Sequence, residues 1–132
     1  MEKALEFLRS HIEVAFATVE NEKPRIRVFQ IMKQEGTTLY FATAPHKEVF
    51  KQLQTNPNVE LLAMEDNISV RLSGKADFTV SDELSQVIYH ENAVLPRLYP
   101  SCQALVYFKI QVEQIDYYDL TFTPPLFEHY DL

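Results

Sequence analysis

From Ile68 to Val80 apolar and polar residues alternate: Ile68, Val70, Leu72, Ala76, Phe78 and Val80 fall on one parity, Ser69, Arg71, Ser73, Lys75, Asp77 and Thr79 on the other. A period of two held over such a length describes a long β-strand buried on one face. Gly74 interrupts the apolar parity. A glycine there marks a bulge or sharp bend, the device by which a long strand curls around a barrel.

The segments around this strand supply its partners. Glu2 to Ser10 has Leu5, Leu8 and Ile12 at helical spacing, with Ala4 and Phe7 beside them, and is predicted to pack across a sheet or barrel opening. Val14 to Glu20 reads as a strand, Asn21-Glu22-Lys23-Pro24 as a turn, and Arg25 to Lys33 as the returning strand. Arg25, Arg27, Phe29 and Ile31 share one face of that strand. Phe29 and Ile31 demand burial, so the arginines are expected at the edge of a buried surface. Leu39 to Thr43 is a third strand, Ala44-Pro45 breaks it, and His46 to Gln54 follows as a helix with Val49, Phe50 and Leu53 as its apolar stripe. Val59 to Glu65 is a fourth strand, joined by Asp66-Asn67 to the long fifth one. Ser81 is the expected N-cap of a helix reaching Glu91. Asn92 to Ser101 reads as irregular or one short turn, and Ala104 to Leu120 as a last long strand or strand pair. The tail, TFTPPLFEHYDL, is aromatic and proline-broken, and is expected to dock on the body or on a second subunit. Six antiparallel strands with peripheral helices predict a mainly β chain, a small closed or split barrel spanning residues 1–132 as one domain.

Composition narrows the chemistry. A formal net charge of -7 argues against nucleic acid or an anionic membrane surface as partner, since both are bound through clustered positive charge. There are only two glycines, Gly36 and Gly74. A Walker loop or a dinucleotide-binding fingerprint needs several, so neither can be built, and any bound phosphate must be held largely by side chains. No window approaches a membrane-spanning length, and the start of the chain lacks the apolar core of a signal peptide, which together suggest a cytoplasmic protein. The four histidines show no metal-ligand spacing, and the single cysteine, Cys102, reads as a buried small hydrophobe; no metal site is expected.

The stretch Leu39 to Leu53 is the candidate anion site. A strand, a sharp turn and a helix start bring together unpaired backbone N–H groups, the positive end of the helix dipole, and His46, Lys47 and Lys51. Lys47 and Lys51 also read as solvated surface lysines, and Arg25 as an arginine snorkelling from a strand end. Arg71 and Lys75 share a face with Asp77, where cross-strand ion pairing accounts for them. Asp116, Asp119, Glu128 and Asp131 read as a solubilising acidic end.

The order PRIRVFQI, LYFATAPHKEVFKQL, NPNVELLAM and ISVRLSGKADF resembles the FMN-binding split barrels of the pyridoxamine 5'-phosphate oxidase-like superfamily, and among them the small single-domain members that include nitroimidazole-resistance-type proteins. The resemblance covers Val14 to Val80, with a less specific match to the C-terminus. It implies a homodimer with FMN in clefts at the subunit interface. Arg27 resembles the arginine that reaches the flavin phosphate, and Val28, Phe29 and Gln30 the segment along the isoalloxazine. Thr43 resembles the threonine ending the third strand, and His46 and Lys47 fall on the basic pair at the phosphate, with His46 where arginine or lysine is common. Ser69 matches a polar position that can face the ring. Phe29, Tyr40 and aromatic residues of a partner chain could form the apolar slot for that ring. The implied activity is an oxidoreductase passing electrons or hydride through FMN to a small molecule such as a nitro compound or quinone. The rivals are a non-catalytic flavin- or haem-binding module for storage, transfer or sensing, and a cofactor-free dimeric scaffold. Pyridoxamine 5'-phosphate oxidase activity itself is not supported, because the terminal DLTFTPPLFEHYDL has no lysine or arginine for a substrate phosphate.

Overall fold

The computed structural model describes residues 1–132. Its eight strands form one antiparallel sheet: β1 (Glu13–Glu20), β2 (Lys23–Gln30), β3 (Lys33–Glu35), β4 (Thr38–Thr43), β5 (Asn58–Glu65), β6 (Ile68–Asp77), β7 (Val106–Asp119) and β8 (Leu126–Asp131). Four helices accompany them: α1 (Glu2–Ser10), α2 (Glu48–Thr55), α3 (Asp82–Glu91) and α4 (Val94–Leu98). The strand order is β2-β1-β5-β6-β7-β4-β3, with β8 added to β7.

The hub is β7, 14 residues long. One edge pairs with β6 along Lys109 to Asp119, while the other pairs first with β4 and then with β8. The changeover falls at Val112 and Glu113: the Val112 amide donates to the Thr37 carbonyl, and the Glu113 carbonyl accepts from Leu132. Here too the β6 register shifts between Ser73 and Gly74. The barrel is therefore split, with β2 and β3 at the ends of the strand path. Gly74 marks a bulge, as its place in the alternating run predicts.

Two clusters stabilise this arrangement. Inward parities of the strands supply Val14, Phe16, Leu39, Phe41, Leu61, Leu72, Phe108 and Ile110, and α1 adds Ala4, Leu5 and Leu8 across the opening. Phe16 packs edge-on against Phe41 at 5.2 Å and against Phe29 at 4.9 Å. Each such fully buried side chain contributes about 1.5–3 kcal/mol of transfer free energy. On the other face of β4 and β7, Ile88 and Tyr89 of α3 and Leu95 of α4 cluster with Tyr40, Cys102, Leu105 and Tyr107.

Several expectations need correction. The strand count is eight, not six. The predicted Arg25–Lys33 strand is two strands, because Ile31 and Met32 turn away, their amides donating to Ile12 and Tyr40. The first hairpin turn is tighter than predicted: Asn21 and Glu22 alone make it, at φ of 51° and 65°, the twist that two-residue hairpins favour. Pro24 consequently joins β2, which tolerates it as an edge strand. The tail docks as β8 along β7, and Tyr130 packs on the core while Phe122 and Phe127 stay exposed. Cys102 is buried and its sulfur accepts from the Tyr107 hydroxyl at 3.3 Å.

Candidate functional site

Strand pairing sorts the candidate residues by face. Arg27 pairs with Phe16, and Phe29 with Val14, both of which are buried, so these two side chains turn inward. Val28 and Gln30 have the opposite parity and turn outward, Val28 being 67% exposed. Phe29 is half-buried in the aromatic cluster with Phe16, Phe41 and Phe108. Tyr40 belongs to the second cluster, beneath α3 and α4. The two rings therefore cannot line one slot within a chain, a correction that follows from the side-to-side alternation of β4.

Arg27 is the centre of a polar network. Its Nη1 donates to the Phe16 carbonyl at 3.0 Å and to the Thr18 hydroxyl at 2.8 Å, and its Nη2 donates to Gln52 Oε1 at 2.8 Å. Gln52 Oε1 also accepts from the Thr18 hydroxyl. Partial burial pushes the guanidinium below its usual pKa, yet arginine remains charged in any accessible pH range. Through Gln52 the cation of β2 is joined to α2. Gln52 is the fifth residue of α2, so the bond ties Arg27 to the body of the helix that begins at the predicted anion site.

Helix α2 begins at Glu48, two residues later than predicted, with Lys47 as an extended N-cap that makes no side-chain capping bond. A helix start without a side-chain cap keeps amide donors free, and the dipole favours an anion there. His46 and Lys47 are both exposed at this point. Thr43, ending β4, is only 2% exposed, and its hydroxyl oxygen has no hydrogen-bond partner. Lys51 stands apart from this group. It lies 3.5 Å from Glu48 and lines a cleft with Glu20 and Glu22, so acidic neighbours offset its charge.

Ser69 lies elsewhere, on the outer face of β6 opposite Met64 and Tyr118. It lines a groove of about 460 Å³ with Leu62, Arg71, Asp116, Tyr118 and Phe127. Arg71 spans the strands to Asp116 at 2.7 Å, the cross-strand pairing expected of it, and Asp116 also meets His129. Desolvation pushes the Asp116 carboxyl up, but hydrogen bonds from His129 and Arg71 outweigh it and leave it below the usual carboxylate range. Arg25 pairs with Glu20 at 3.1 Å on the surface.

The candidate residues thus fall into groups within one chain: Thr43, His46 and Lys47 in the strand-turn-helix unit that starts α2, Arg27 bonded to Gln52 in the middle of that helix, and Val28, Gln30 and Ser69 on the outer sheet face. Gln52 and Thr18 escaped the sequence reading. The signal was there, since Gln52 is spaced three residues from Val49 on the buried side of α2, and Thr18 shares the inward parity of Val14 and Phe16. In the observed stripe Gln52 is more buried than Phe50, which packs edge-on against Phe78.

Solved structures share this fold. A NimC/NimA family protein of Clostridium acetobutylicum is 24% identical, with a TM-score of 0.83 over 100% of this chain and 93% of that one. General Stress Protein 26 of Bacillus anthracis is 25% identical, with a TM-score of 0.79 over 98% of this chain and 97% of that one. A heme binding protein of Mycobacterium smegmatis is 15% identical, with a TM-score of 0.79 over 98% of this chain and 57% of that one. No curated protein matches the chain. The sequence profile described as Pyridoxamine 5'-phosphate oxidase matches residues 1–119. With that match spanning both the strand-turn-helix stretch and the long alternating strand, the chain belongs to the pyridoxamine 5'-phosphate oxidase family.

Proposed function

We propose that the protein is an FMN-binding oxidoreductase that works as a homodimer and reduces a small molecule such as a nitro compound or quinone. The observation that carries the reading is the Arg27–Gln52 hydrogen bond, which ties a guanidinium of β2 to the middle of α2, the helix whose uncapped start carries His46 and Lys47. A phosphate monoester dianion needs convergent cationic and N–H donors. Arg27, Lys47 and the first amides of α2 fit that need without glycines, and the unpartnered Thr43 hydroxyl is a further donor in the same strand-turn-helix unit. His46 would add a hydrogen bond. The acidic surroundings of Lys51 leave it a minor contributor.

Dimerisation is supported by the outer sheet face, where Ile26, Val28, Met64 and Phe127 are 71%, 67%, 65% and 56% exposed. A face this apolar is unusual for a lone chain. A second copy placed there would cover the outward-facing Ser69, Val28 and Gln30. When bound, FMN supplies hydride or electron-pair transfer through its ring system. The protein's residues bind the phosphate, orient the ring and exclude water. A neutral acceptor suits a chain whose last stretch, Asp119 to Leu132, offers no lysine or arginine to a phosphorylated one.

The test is a visible spectrum of the purified protein after loading with FMN and desalting, repeated on the Arg27→Ala/Lys47→Ala double variant. Flavin bands retained by the parent and lost from the variant are expected. A protein that cannot be loaded, or a haem band without flavin retention, overturns the proposal. Consumption of reduced nicotinamide with a nitro or quinone acceptor is expected of an oxidoreductase; FMN retention with no electron flow assigns a binding module instead.

A further inference from the structure

We infer that Gln52 is a positioning residue for the cofactor phosphate, setting how far the Arg27 guanidinium stands from the start of α2. The inference rests on the FMN reading above. Gln52 is 5% exposed, and a buried amide on the packed side of a helix costs stability unless it is used. Here one atom, Oε1, accepts from two residues of two strands: Arg27 Nη2 on β2, at 2.8 Å, and the Thr18 hydroxyl on β1. The Arg27 Nη1 is occupied by Phe16 and Thr18. Three bonds therefore hold the guanidinium in one orientation, and Nε with the second Nη2 hydrogen remains for an anion.

Gln52 lies one turn into the helix whose N-cap is Lys47. The side chain is thus a strut between the cationic half of the site on β2 and the helix-dipole half on α2. Its acceptor is neutral, which matters electrostatically. A carboxylate in this place would form an ion pair with Arg27 and face Glu20, to which the Gln52 side chain hydrogen-bonds, whereas an amide satisfies Arg27 and Glu20 together without adding a charge. Shape alone does not need a glutamine: a leucine or methionine would fill the same buried volume. The polar choice is explained by the guanidinium it aims.

Riboflavin has the ring of FMN without the phosphate, so it separates positioning from general damage. Both flavins are titrated, by quenching of flavin fluorescence, into the parent protein, Gln52→Met and Gln52→Glu. The parent is expected to prefer FMN. Gln52→Met, close in shape but with no acceptor oxygen for Arg27, is expected to lower the FMN-to-riboflavin preference by about tenfold, chiefly through weaker FMN binding, the loss expected for a bond to a charged group. Gln52→Glu retains an acceptor for Arg27 and Thr18 but sets a carboxylate against Glu20, and it is expected to lower the same preference by cancelling charge. An unchanged preference in both variants, or FMN and riboflavin weakened equally, overturns the inference and leaves Gln52 a structural residue. If Gln52→Met does not fold, Gln52→Leu, equally without an acceptor and of similar volume, decides. A parent that binds neither flavin overturns the FMN reading itself, and this one with it.

Discussion

Gly74 on β6 lies so close to Gln111 on β7 that a Cβ built on the glycine would sit 2.6 Å from the Gln111 carbonyl oxygen and 2.7 Å from the Ile110 side chain. The Gln111 oxygen is a backbone atom at the bulge, where β7 exchanges β4 for β8, and cannot swing aside as a side chain could. A methyl group can enter only if the strands part. Gly74→Ala is expected to destabilise the protein by about 1–3 kcal/mol through overpacking. Urea unfolding checks this, and a midpoint unchanged from the parent would show that the two strands yield at no cost.

Ser81 accepts from the Leu84 amide at 3.1 Å and caps α3, with Asp82 and Glu83 favourably placed in the first turn. The side chain satisfies one amide that the helix cannot. Ser81→Ala is expected to cost about 1 kcal/mol. The denaturation midpoint should fall while the denaturant slope stays the same, because neither the core nor the unfolded chain changes in extent.

How far the sequence alone reaches can be judged from these same residues. The alternation at Ile68, the bulge at Gly74 and the cap at Ser81 are local patterns, and each structural outcome follows from a few neighbouring residues. The strand β8 is different: Pro124, Pro125 and exposed aromatics make the tail look irregular, and only the free edge of β7 beyond Glu113 converts it to a strand. Likewise β3 has three residues, too few for a period to show. At the site, parity places Arg27 with Phe29 on the inward face, as read from the sequence. Its partner Gln52 lies 25 residues further on, and that pairing depends on how α2 crosses β1, which no local pattern encodes.

Stability should depend on pH through His129 and His11. Hydrogen bonding to Asp116 first, then to Asp131, raises the His129 pKa, and Arg71 and Gln114 complete its surroundings on β6 and β7. His11 is raised by its bond to Glu65 and then by the Phe7 carbonyl. A raised folded-state pKa means stabilisation that is fully present below the ordinary imidazole value of about 6.5 and lost as pH climbs through the folded value. Asp116 works in the opposite range, its contribution being lost only as pH falls below the usual carboxylate range. The parent should therefore exceed His129→Gln in urea midpoint at about pH 6, with the difference shrinking as pH is raised above the ordinary imidazole value. A difference that stays the same as pH is raised would show that the imidazolium form contributes nothing.

Val28 tests the proposed dimer most directly, because it is outward-facing and 67% exposed at the edge of the apolar sheet face, in a strand whose inward residues include Arg27. A stable interface of this kind buries about 800 Å² on each partner, and a carboxylate buried in it would be desolvated without a counter-ion. Each copy already carries a formal charge of -7, so a further acid also adds repulsion. Val28→Asp is expected to convert the dimer to monomer in sedimentation experiments, with little change in the unfolding midpoint of the isolated chain, since the side chain it replaces touches solvent there. Loss of FMN retention should accompany dissociation if the second copy completes the site. A monomeric Val28→Asp that still retains FMN would place the whole cofactor site within one chain, and a parent protein already monomeric at micromolar concentration would remove the dimer from the proposal.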